Sequence, residues 1–168
     1  MDLADIFERP FKYFPNKLAV VNTETDHKMN WKEFYYESVR LALTLRSMGV
    51  KKGDRVGILS MNRVRYLILY CANALLRSII VPINFRLAPN ELKFIIEDSS
   101  LSVILIGEEC HDTFNNCNLT NKPKSIIISK DEDENDDYSI KTIKIEMQEI
   151  LNFKKERIDE NDIYGVHS

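Results

Sequence analysis

Residues 55–82 read RVGILSMNRVRYLILYCANALLRSIIVP, and the periodicities of this stretch decide the fold. Arg55-Val56-Gly57-Ile58-Leu59 is an apolar run of strand length, and Ile79-Ile80-Val81-Pro82 is a second that reads as another buried strand. Between them Val64, Leu67, Ile68, Cys71 and Leu75 recur at helical spacing as the inward face of a helix, with Asn62 placed to cap it. Two apolar strands joined by an amphipathic helix make a βαβ unit, which implies a parallel pair.

The same alternation extends in both directions. Downstream, Pro89 suits the first turn of a helix whose apolar face is Leu92, Ile95 and Ile96. Strands follow at 102–106 and 125–128, with a short helix at 110–116 between them. Upstream, Asn30 with Glu33 three residues on approaches a capping box. From there Trp31, Phe34, Tyr35, Ser38, Leu41, Ala42 and Leu45 keep a 3.6-residue period over about four turns. Gly49 stands in the C′ position, where a left-handed residue is wanted. Residues 18–21 and 28–30 read as two short strands around a polar turn, a hairpin. Ahead of them Ile6, Phe7, Phe11 and Phe14 mark a short helix, limited by Pro10 and stopped by Pro15. The expected fold class is α/β, a three-layer and mostly parallel sheet with helices on both faces.

After residue 128 the pattern breaks. Residues 130–139 hold six of the 26 acidic side chains, and without them the chain carries 23 basic against 20 acidic residues. That run reads as a solvated loop. A strand at 143–145, a short helix at 147–153 and a strand start at 163–166 complete the expectation.

Composition bounds the function. At 168 residues, 44% hydrophobic and 29% charged, the chain has the material for one domain, 1–168. A net charge of -3 without a basic stripe argues against a nucleic-acid partner. The longest apolar run falls far short of the ~20 residues a membrane span needs, so no transmembrane segment is expected. Three scattered cysteines suit a reducing compartment, and a cytoplasmic location is expected. The five glycines do not stand in the spacing of a dinucleotide turn or a phosphate loop.

The candidate chemical residues each have a plainer reading. Asp131, Asp133 and Asn135 match alternate calcium-loop positions, but Asp136 replaces the glycine and Thr142 the bidentate glutamate. Cys110, His111 and Cys117 fit no zinc spacing and want a fourth ligand, and as sequence neighbours Cys110 and His111 point too far apart for a nucleophile pair. Cys71 reads as a small core residue, and His27 and His167 show no partner for acid–base work. The sequon Asn118-Leu119-Thr120 carries no weight without secretion. Trp31, Phe34 and Tyr35 read as core in place of a base-stacking platform. A flavodoxin-like nucleotide binder is disfavoured, because Ser60-Met61-Asn62 lacks the hydroxyl- and glycine-rich run a flavin phosphate needs.

Four segments stand in order: Met29 to Phe34, the run GVKKGDRVGIL at 49–59 with Asn62, the run VPINFRLAPNEL at 81–92, and the closing DIYGVHS at 162–168. Together they resemble the N-terminal portion of the adenylate-forming (AMP-binding) acyl-CoA synthetase and ligase family, above all its long- and medium-chain fatty acyl-CoA ligases. The family commonly has glycine where Arg77 stands and alanine at Ser78, so an arginine there is expected to cost ~1–3 kcal/mol at the helix-to-strand turn. The resemblance implies ATP, magnesium and coenzyme A as the family's cofactors. It also implies that the phosphate loop would begin just past Ser168, with the adenine and ribose motifs, the magnesium-binding glutamate and the catalytic lysine further on. On that reading no catalytic, cofactor-binding or metal residue is assigned in this chain, which alone binds no cofactor and is inactive. Its expected partner is the remainder of the ligase, with a docking or regulatory role on a full-length paralogue as the alternative and a homo-oligomer as a further possibility.

Overall fold

The computed structural model describes residues 3–128 together with Glu149, Asn152 and Phe153. The expected acidic loop and the strands at 143–145 and 163–166 lie outside these residues. Glu149, Asn152 and Phe153 are helical, in line with the expected short helix, and Phe153 is buried beneath the Arg46 guanidinium, 5.1 Å from its ring centre.

The chain opens with helix α1 (Asp5–Tyr13) and the antiparallel hairpin β1 (Leu18–Val21) and β2 (Lys28–Asn30). Helix α2 (Trp31–Ser47) starts at a full capping box: the Glu33 N–H donates to Asn30 Oδ1 at 2.9 Å, and the Asn30 N–H donates to Glu33 Oε2 at 2.8 Å. It ends in a Schellman turn, with Val50 N–H on the Leu45 carbonyl and Gly49 N–H on the Arg46 carbonyl. Gly49 takes φ +98°, the left-handed region its position called for.

The remaining elements are β3 (Arg55–Leu59), α3 (Val64–Leu76), β4 (Ile79–Ile83), α4 (Pro89–Ser99), β5 (Val103–Gly107), a 3₁₀ turn (Glu108–Cys110), α5 (His111–Asn115) and β6 (Lys124–Ile128). The four strands form a parallel sheet in the order β4-β3-β5-β6. Alternation along β5 divides the core in two. Val103 and Leu105 pack with α2 and α3, whereas Ile104 and Ile106 pack with α4, Cys110, Phe114 and Cys117. The result is the three-layer α/β arrangement expected.

Two details differ from expectation. Among the described residues strand β4 is an edge strand, with Ile79 49% exposed, because the chain crosses over β3 to place β5 on its other side. Pro82 fits there, since an edge tolerates a residue with no N–H to donate. Helix α3 is capped at Arg63, one residue past Asn62, in extended geometry and without a side-chain cap bond. Its inward stripe is Val64, Ile68, Cys71, Ala72 and Leu75, while Leu67 is 47% exposed. Packing against α2 sets that stripe and leaves Leu67 to one side.

At the other end of α3, Arg77 sits at φ +55°, ψ +30°. The departure from glycine is therefore a backbone matter: an L-residue occupies the left-handed cap of a helix. Ser78 uses its hydroxyl to bond Asn73 Oδ1 at 2.5 Å, a contact alanine could not make.

Candidate functional site

Strand β3 passes through α3 to β4 on one side of it, and the chain then returns to place β5 on the other. Such a reversal opens a crevice beyond the carboxyl ends of the two central strands, the usual ligand position in open parallel sheets. Leu59 pairs with Ile106 in register, so Ser60 and Gly107, the last residue of β5, follow side by side at the carboxyl edge of the sheet.

A side chain of the protein fills that crevice. Glu109 Oε1 accepts the Met61 N–H at 2.9 Å, and the Ser60 hydroxyl lies 3.2 Å from the same oxygen. Glu109 Oε2 accepts from Arg63 Nη2 at 2.8 Å, in an ion pair whose side chains are only 14% and 15% exposed. Gly107 makes the approach possible: a Cβ there would collide with the Glu109 carboxylate and lie 2.7 Å from Ser60 Oγ. Burial draws the Glu109 pKa upward, but the Met61 N–H, its own backbone N–H, the Arg63 charge and the Ser60 hydroxyl together hold it below the usual carboxylate range.

Beside this cluster lies a cleft of about 500 Å³ between the hairpin loop and the start of α3. Val20, Val21 and Asn22 to Thr25 form one wall, and Met61 to Val64, Tyr66 and Leu67 the other. Arg63 thus belongs both to the cleft and to the ion pair behind it. Tyr66 stacks on Tyr70 with ring centres 6.3 Å apart, and burial followed by the neighbouring Tyr70 raises its pKa.

The pKa values of Glu109 and the exposed Glu97 move down, the latter chiefly through the Thr120 N–H, while those of Cys110, Cys117 and Tyr66 move up, chiefly through burial. Every one of these shifts runs away from neutrality.

The other sequence candidates disperse. Cys110 and Cys117 are buried in the α4 layer, with the Cys117 thiol on the Thr113 carbonyl, whereas His111 is exposed on α5. Among the described residues no group of three or more His, Cys, Asp or Glu is placed to hold a metal ion. Cys71, Phe34 and Tyr35 are core, and Trp31 packs edge-on to Phe34. His27 lies in the hairpin, where its carbonyl accepts the Asn22 N–H. Asp131, Asp133, Asn135, Asp136, Thr142 and His167 fall outside the described residues. Sequence reasoning missed the Glu109–Arg63 pair, whose partners stand 46 residues apart. The signal available was a polar residue just past each of two neighbouring apolar strands.

Comparison with known proteins gives the fold its relatives. The family model described as AMP-binding enzyme matches residues 7–167. The long-chain-fatty-acid–CoA ligase FadD13 of Mycobacterium tuberculosis is 38% identical over 93 residues, 55% of this chain and 18% of its own length. A 4-hydroxybutyrate–CoA ligase 2 of Metallosphaera sedula is 33% identical over 101 residues, 60% of this chain and 18% of its own. The N-terminal domain of FACL13 from Mycobacterium tuberculosis superposes with a TM-score of 0.70 at 28% identity, over 77% of this chain and 34% of that one. The chain thus spans about a fifth of the length of these curated relatives. Among the described residues no helix is long and apolar enough to cross a membrane.

Proposed function

The chain belongs to the AMP-binding enzyme family, and from that premise we propose that it supplies the N-terminal α/β part of an ATP-dependent acid–thiol ligase that joins a fatty acid to coenzyme A through an acyl-adenylate. The likeness to the long-chain-fatty-acid–CoA ligase carries the substrate class.

Within such an enzyme this part builds the framework. Adenylation gathers negative charge on a pentacovalent phosphorus, and stabilising it takes preorganised donors, a cation and a metal. The crevice of this sheet offers instead a carboxylate already paired with Arg63 and bonded to the Met61 N–H. Glu109 ties the loop after β3 to the turn after β5, so its role in this reading is to fix the shape of the sheet's carboxyl edge. The adenylating groups belong to the remainder of the ligase, which is also the partner this part requires.

The test is carboxylate-dependent exchange of pyrophosphate into ATP by the purified 168-residue chain, with a long-chain fatty acid as substrate. The proposal expects no exchange above a protein-free blank. Exchange that persists through repeated purification and follows the chain's elution profile would overturn it.

A further inference from the structure

We draw no further inference here: the strongest candidate, the cleft of about 500 Å³ between the β1–β2 hairpin loop and the start of α3, shares Arg63 with the site already described, and nothing in the structure shows what covers its exposed Met61 and Leu67.

Discussion

Replacing Arg77 by glycine should stabilise this protein. Arg77 closes α3 at φ +55°, ψ +30°, and its carbonyl accepts the Gly53 N–H at 3.0 Å. An L-residue in this conformation costs about 1–2 kcal/mol, because Cβ crowds the following carbonyl oxygen. Glycine removes that cost but enlarges the unfolded ensemble, which takes back about 0.4–1 kcal/mol. The net gain is about 0.5–1 kcal/mol, or roughly 1–4 °C in Tm for a domain of this size. The backbone bond to Gly53 is kept in the variant. Arg77→Ala is the needed companion: it removes the side chain with its contacts and leaves the left-handed Cβ in place. Thermal melts of the three proteins at neutral pH decide the matter. The expected order has Arg77→Gly above the parent and Arg77→Ala at or below it. If alanine raises Tm as much as glycine, the side chain and not the backbone is the source of strain, and the reasoning fails.

The Glu109 cluster yields three further expectations. Glu109→Gln leaves the Arg63 charge half-stranded and weakens the bond to the Met61 N–H, costing about 2–3 kcal/mol in urea unfolding. Gly107→Ala pushes the carboxylate off the same partners, so the two changes should be markedly less than additive in a double-mutant cycle, by about 1 kcal/mol or more. The folded-state pKa of Glu109 lies below its unfolded value, so the pair's stabilisation is complete above the unfolded value and fades as pH falls through the folded one. Unfolding measured from neutrality down to acid should therefore show a shallower acid limb in Glu109→Gln than in the parent. At the capping box, Asn30→Ala should cost about 1 kcal/mol by chemical denaturation, while Asn30→Asp should be near neutral.

What could be read from the sequence follows the range of each interaction. The capping box at Asn30 and Glu33, the left-handed Gly49 and the strand and helix periods are local, and the structure realises them within a residue or so. The order of sheet strands is not local. Ile79 to Pro82 reads as buried because its composition matches that of β3, and the crossover to β5 makes it an edge among the described residues. Leu67 and Asn62 show the same limit on a smaller scale: helical spacing permits both roles, and contact with α2 and the hairpin decides against them. Glu109 and Arg63 meet only because β3 and β5 are neighbours, so their pairing carries no short-range trace. Among the candidates that lie in the described residues, Cys71, Phe34 and Tyr35 were legible as plain structure, since they do sit in the core.

The claim that this chain is the leading part of an acid–thiol ligase is tested most directly by sequencing the transcript past the Ser168 codon. The account predicts ligase sequence there, in frame or shifted, opening with a Ser/Thr/Gly-rich phosphate loop. A stop codon with no ligase sequence behind it would contradict the account and leave a docking module as the reading to pursue.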